Sequence, residues 1–174
     1  MSFFENTRKP AGFGGKLMVV MMNLSHSPVA RWGLRFLELA PDDKVLDCGC
    51  GGGANIKTLL KLCPKGKVQG IDYSAVSVEK ARKVNAGAIA AGQCTVQQAS
   101  VAELPFEAEQ FDVVTAFETV YFWPELAQNF REIYRVLKPG GTFLICNESN
   151  GDSDKDEKWT EIIGGMTIYK DAEL

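Results

Sequence analysis

Five short apolar runs recur along the chain, at residues 44–47, 67–72, 94–98, 111–117 and 142–146. Their separations, roughly 20–30 residues, are those of successive strand–helix–strand units. Most are almost continuously apolar rather than alternating, the pattern of parallel strands covered on both faces. Helical periodicity fills the intervals. It predicts helices over 29–39, 54–62, 75–91 with Ser74 as N-cap, and 124–138, where Leu126, Phe130, Ile133, Tyr134 and Leu137 form one apolar stripe. Arg131, Glu132 and Arg135 are placed on the solvent side of that last helix. Pro124 suits its first position, and Pro139-Gly140-Gly141 stops it before the final strand. The sum is a doubly wound, mostly parallel α/β sheet with helices on both faces. Ligands of such sheets lie beyond the carboxyl ends of the strands, where strand order reverses.

At one of those ends the sequence reads Val45-Leu-Asp-Cys-Gly-Cys-Gly-Gly-Gly53. Glycines permit positive φ and let a ligand lie against bare peptide, and the helix that follows points its N–H groups at the loop. The spacing Gly49-x-Gly51-x-x-Ala54 satisfies the dinucleotide fingerprint, a weak signal alone. Asp47 separates the readings. A pyrophosphate beside it would meet an uncompensated negative charge, whereas an ammonium group would gain a charge-assisted hydrogen bond. Asp72, ending the next strand, can accept from both hydroxyls of a ribose. An acid for an ammonium, bare backbone and an acid for a ribose fit S-adenosylmethionine better than NAD.

Four stretches in order resemble the class I S-adenosylmethionine-dependent methyltransferases, in particular the broad small-molecule group called type 11. VLDCGCGGG is similar to the family's D-x-G-x-G-x-G, carried by Asp47, Gly49, Gly51 and Gly53. GIDYS (70–74) is similar to its ribose-binding stretch, SVAELPFEAEQFDVV (100–114) to its adenine loop and fourth strand, and RVLKPGGTFLI (135–145) to its last helix, turn and strand. The resemblance implies that Asp47 and the Cys48–Gly49 backbone hold the methionine portion, with Gly51 in the same loop. It further implies Asp72 on the ribose, Tyr73 beside the adenine, Ser100 and the Val101 backbone on the adenine edge, and the backbone near Phe117 at the amino group. Ser100 stands where family members often carry an acid. The family sheet usually continues into a helix and two more strands, so C-terminal strands are expected to be missing here.

The acceptor wall is expected from Glu118 to Trp123 and from an N-terminal lid containing Phe13, Met18, Met22 and His26. Residues 1–40 are read as lid and first helix, and 41–174 as the cofactor-binding core. His26, Tyr121 and Trp123 are the candidate substrate-pocket residues, although a cap contact for His26 and core packing for the aromatic pair explain them too. Glu118 and Glu148 read as solvated strand-end acids ahead of bases. No catalytic base is assigned.

Composition narrows the partners. The net charge is −3, with fifteen acids against six bases over 98–174, and no basic stripe with interleaved aromatics argues for nucleic acid. Five scattered cysteines and a single histidine offer no metal set, and they fit a reducing, cytoplasmic setting. No apolar run reaches the ~20 residues that span a bilayer. The expected function is methyl transfer from S-adenosylmethionine to a small-molecule acceptor, with a homodimer through an open sheet edge as a further expectation. A cofactor-binding protein without catalysis and an NAD-dependent oxidoreductase are the alternatives.

Overall fold

The computed structural model describes residues 10, 12, 14, 15, 17–19 and 27–174. Five strands, β1 (Lys44–Cys48), β2 (Lys67–Asp72), β3 (Cys94–Gln98), β4 (Phe111–Phe117) and β5 (Leu137–Cys146), form one sheet in the order β3-β2-β1-β4-β5. Every pairing is parallel. Strand order reverses between β1 and β4, so the crevice beyond their carboxyl ends is the switch point of the sheet.

Neighbouring residues of one strand serve opposite faces. Val45 joins Val68, Val113, Ile56, Leu59, Val78 and Ala81 in one buried cluster. Leu46, one position on, joins Ile71, Val114, Phe111, Ile133 and Val136 in the other. Helices α1 (Ser27–Gly33), α2 (Ala54–Leu62), α3 (Ala75–Val84) and α4 (Ala86–Ala90) follow in chain order, α1 to α3 packing into the first cluster. Helix α5 (Leu126–Val136) covers the second, and α6 (Asp154–Ile162) lies towards the chain end. With both faces covered, the strands need the near-continuous apolar character that the sequence shows.

Three helices differ from expectation. The first, expected over 29–39, runs from Ser27 to Gly33 and tightens to a 3-10 turn over Leu34–Phe36, after which Leu37 is extended. The segment 75–91 is broken at Asn85, whose buried side chain donates to the carbonyls of Gly53 (3.0 Å) and Ala81 (3.0 Å). The break brings the helix against the glycine loop. Helix α5 begins at Leu126, after Glu125 in a left-handed conformation, and Pro124 stays outside it. Its buried positions are Asn129, Ile133 and Val136, while Tyr134 is 83% exposed. Glu132 and Arg135 do not simply face water. Arg135 donates to the carbonyls of Phe106 (2.7 Å) and Leu104 (3.0 Å), and Glu132 accepts from the Leu104 N–H (2.9 Å), so the pair clamps the loop after β3. Sequence periodicity reads only hydrophobicity and cannot see polar side chains recruited to a loop. Strand β5 also starts earlier than expected, at Leu137, with a register shift opposite Phe111–Val113.

Candidate functional site

A cavity of about 290 Å³ opens over the carboxyl ends of β1, β2 and β4. Its floor is the glycine loop. The N–H groups of Gly49 and Cys50 both donate to the Ile71 carbonyl (2.8 and 2.9 Å), fastening the loop to the end of β2. Gly49 has φ +76°, and a Cβ there would run into the Thr119 side chain. Gly51 has φ +51° and lines the cavity, and a Cβ on it would meet nothing within 4 Å. Glycine at the first position is therefore a packing requirement, whereas at the second it leaves peptide bare towards open space.

Asp72 ends β2 and sits in the wall, 8% exposed. One carboxylate oxygen accepts from the Gly51 N–H (2.9 Å), the other from the Ser74 N–H (2.8 Å). The Ser77 side chain bonds the carboxylate as well, which leaves about one of its four acceptor positions for a ligand. Burial raises its pKa, opposed by those backbone donors. Ser74, the N-cap of α3, also donates to the Pro10 carbonyl (2.7 Å), which ties Pro10 to this wall.

Asp47 lies deeper. It is 1% exposed and is not among the residues that line the cavity, two positions before Gly49, which is. Oδ1 accepts from the Thr115 hydroxyl (2.9 Å), while Oδ2 has no hydrogen-bond partner. Burial is the main cause pushing its pKa up to about 7, the Thr115 bond opposes it, and Asp72 adds to it. A buried carboxylate oxygen without a donor is costly and calls for an approaching cation or proton.

Of the other expected cofactor residues, Gly49, Tyr73, Ser100, Val101 and Phe117 all line the cavity, and Cys48 is fully buried beside Asp47. The Ser100 hydroxyl accepts from the Ala102 N–H (3.2 Å) within its own loop. Among the expected pocket residues, Trp123 does both jobs left open. It is 8% exposed, stacks on Phe143 (centroids 6.2 Å apart, planes 7° apart) and lines the cavity. Tyr121 is buried and does not line it, and its hydroxyl pairs with Ser149. His26, with Phe13 and Met22, lies outside the described residues. Met18 is buried, and its neighbour Val19, with Pro10, lines the cavity.

Glu118 is less solvated than its strand-end position suggests. It stands one residue past β4 with φ +58°, is half-buried and faces the cavity. Burial pushes its carboxyl up to about 7 against the Glu148 N–H and Tyr121 hydroxyl that bind it, the Glu148 charge adding to the rise. The signal available in the sequence was its place just beyond an apolar strand; Glu148 stands in a similar place, two residues beyond β5. Among the described residues lining the cavity there is no Lys, Arg or His, and no cluster of metal-binding side chains occurs among the described residues. No described helix is long and apolar enough to cross a membrane.

A family model described as "Methyltransferase domain" matches residues 46–145. Among curated proteins, the chain is 33% identical over 109 residues to cycloartenol-C-24-methyltransferase 1 of Oryza sativa, covering 63% of this chain and 31% of that protein. It is 34% identical over 124 residues to the demethylmenaquinone methyltransferase of Symbiobacterium thermophilum, covering 69% and 49%. The chain thus spans about a third to a half of the curated relatives it matches. Among solved structures, one of the complex between the Haloferax volcanii Trm112 methyltransferase activator and a methyltransferase superposes with TM-score 0.82 at 27% identity, over 89% of this chain and 67% of that one. On the match over more than half its length, and on a parallel sheet with its cavity at the β1/β4 switch point, the chain belongs to the methyltransferase-domain family and has the class I S-adenosylmethionine-dependent methyltransferase fold.

Proposed function

We propose that the chain binds S-adenosylmethionine in this cavity and transfers its methyl group to an apolar small molecule. The observation that carries the reading is the pairing of Asp72 in the wall with the unpartnered Asp47 Oδ2 just before the glycine loop. The donor set suits the group: the remaining acceptor capacity of Asp72 for a ribose hydroxyl, the Gly51 backbone open to the cavity, and an unmet carboxylate oxygen for an ammonium. A pyrophosphate would face the same carboxylates with no lysine, arginine or histidine among the described lining residues, which disfavours a nicotinamide dinucleotide.

When bound, S-adenosylmethionine supplies a methyl group already activated on a sulfonium leaving group. What the chain must add is position and dryness. Asp72 and the Gly51 peptide orient the ribose. Tyr73, Ser100 and Val101 enclose the adenine, with Ser100 offering a neutral hydroxyl where a carboxylate would add charge. Asp47, with the Cys48–Gly49 peptide and the backbone at Phe117, takes the methionine portion. Val19, Phe122, Trp123 and Pro124 form the apolar side of the cavity and exclude water where the acceptor would enter. An in-line displacement then requires only that this wall aligns the acceptor with the methyl carbon. The apolar wall supports an apolar acceptor, as does the likeness to proteins named as methylating sterol and quinone skeletons.

Calorimetric titration with S-adenosylhomocysteine tests the cofactor reading, with NAD and Asp72→Ala as controls. Specific binding that falls at least tenfold in the variant supports it. A folded chain that binds NAD and not S-adenosylhomocysteine overturns it.

A further inference from the structure

Helix α1 is seated on the sheet through its small residues. Ala30 is buried in the first cluster, together with Leu34 of the 3-10 turn that follows. Gly33 approaches β4 and β5 so closely that a Cβ on it would stand 2.6 Å from Cys146 Sγ and 3.4 Å from the Phe117 ring. The Cys146 thiol donates to the Val29 carbonyl at 3.6 Å. Phe117 also lines the cavity, so one side chain separates α1 from it. The outer side of the same segment is left in water. Trp32 is 56% exposed and Phe36 65%, their rings edge to face with centroids 5.0 Å apart.

Large rings exposed side by side on a packed segment mark a contact surface. The charge around them narrows what it touches. Helix α1, the turn after it and α2 carry Arg31, Arg35, Lys57 and Lys61, and no acid. All four bases are exposed. Among the described residues no ion pair involves Arg35, Lys57 or Lys61. Helix α2 lies against α1 over the same face of the sheet and ends in Leu62, 44% exposed. The nearest acid along the chain is Glu38, two residues beyond Phe36. A basic surface with apolar side chains at its centre thus stands on a chain whose net charge is −3.

We propose that this α1–α2 face docks on the surface of an anionic lipid bilayer, Trp32, Phe36 and Leu62 entering the headgroup region while the four bases meet lipid phosphates and carboxylates. Tryptophan is favoured at that boundary, with an apolar ring and a wet N–H. Each lysine or arginine near an anionic surface strengthens the hold about fivefold. A bilayer is chosen over other anionic partners on the reading of the acceptor as an apolar small molecule, and the proposal rests on that reading to this extent. Such a molecule concentrates in bilayers, and docking through α1 brings the cavity to the phase that holds it.

The test uses the full chain and vesicles of phosphatidylcholine, alone or mixed with phosphatidylserine, with no cofactor present. Co-sedimentation measures partition, and tryptophan fluorescence reports entry of the ring. Partition should favour the anionic vesicles by about tenfold or more and fall as salt is raised. A blue shift should accompany it, and Trp32→Phe should remove most of that shift. Two double variants, Trp32→Ala with Phe36→Ala and Arg35→Glu with Lys61→Glu, should each weaken partition by about tenfold or more. Arg131→Glu, a charge reversal on an exposed position of α5 over the other face, should not. Equal partition onto neutral vesicles, no partition at low salt, or partition that both double variants leave unchanged overturns the proposal. Self-association in ultracentrifugation that the aromatic variant abolishes puts a second copy on this surface and overturns it too, as does a preference for an oligonucleotide over anionic vesicles. If a variant fails to fold, the anionic-to-neutral ratio of the unmodified chain decides. Vesicle binding by a chain that takes no S-adenosylhomocysteine upholds the docking face and removes only the cofactor reading; the converse removes only the docking face.

Discussion

Asp47 illustrates how a single side chain can be assigned its partner by what it lacks. Its carboxylate is buried with one oxygen bound to Thr115 and the other unmet. The folded chain without ligand therefore carries a penalty for ionising Asp47. Replacing Asp47 by Asn removes that charge at the cost of a poorer fit. At pH 8 without ligand, Asp47→Asn should stabilise the chain by about 1–3 kcal/mol, a pKa unit being about 1.4 kcal/mol. The same variant should weaken S-adenosylhomocysteine at least tenfold. Chemical denaturation and calorimetry on one preparation measure both, and a variant that lowers stability while leaving binding intact would contradict the assignment. Asp47, Asp72 and the glycines were legible in the sequence because their chemistry depends on residue type and strand-end position. Glu118 was not, because Glu118 and Glu148 look alike on paper, and only packing shows which of them turns into the cavity and which lends it a backbone N–H.

At the scale of elements, the site is held by polar links that join neighbours across the sheet's edge. Thr119 donates to the Cys48 carbonyl at 3.1 Å, locking the loop after β4 onto the glycine loop. Asn85 bonds the Gly53 carbonyl and breaks its own helix to do so. Arg135 reaches from α5 to two carbonyls of the loop that carries Ser100 and Val101. Arg135→Ala would leave those carbonyls without their donors. Each such loss costs about 1–3 kcal/mol where burial prevents hydration. Since the loop is partly exposed, a total near the lower end of that range is expected, read as a lower midpoint in urea unfolding. The affinity for adenosine-containing ligands should fall severalfold through the loosened loop, with Ala at Arg131 as the control that changes neither. The helices and strands themselves were visible as apolar periodicity. The clamps were not, because the partners of Arg135 lie 29 and 31 residues away.

For the molecule as a whole, the acids around the cavity set a dependence on pH. Asp47 and Glu118 are both raised to about 7, and Asp72 is raised as well, with burial the leading cause in all three. The folded chain then binds more protons than the unfolded chain between the ordinary carboxylate range and about pH 7. Stability supplied by these groups is present at acid pH and is lost as pH rises through that interval. Without ligand, the thermal midpoint should fall between pH 5 and pH 8. A ligand carrying an ammonium reverses the trend, because it favours the charged forms, so the shift in midpoint caused by S-adenosylhomocysteine should be larger at pH 8 than at pH 6. Scanning calorimetry with and without ligand checks the sign. A midpoint that rises steadily to pH 8 in the absence of ligand would refute the charge balance described for the cavity.

The sequence by itself determined the strands, the doubly wound class, the glycine loop and the two acids that point to an adenosylmethionine-type ligand. Those properties are local: apolar period, strand-end acids and glycine spacing are written into consecutive residues. Tertiary structure alone decided that Asp47 is buried outside the cavity wall, that Asn85 breaks its helix, that Arg135 clamps a loop, and that Glu118 lines the cavity while Tyr121 does not. Each depends on which buried polar group finds a partner across the fold, and burial with its hydrogen-bond demands is a property of the packed molecule, not of any stretch of chain.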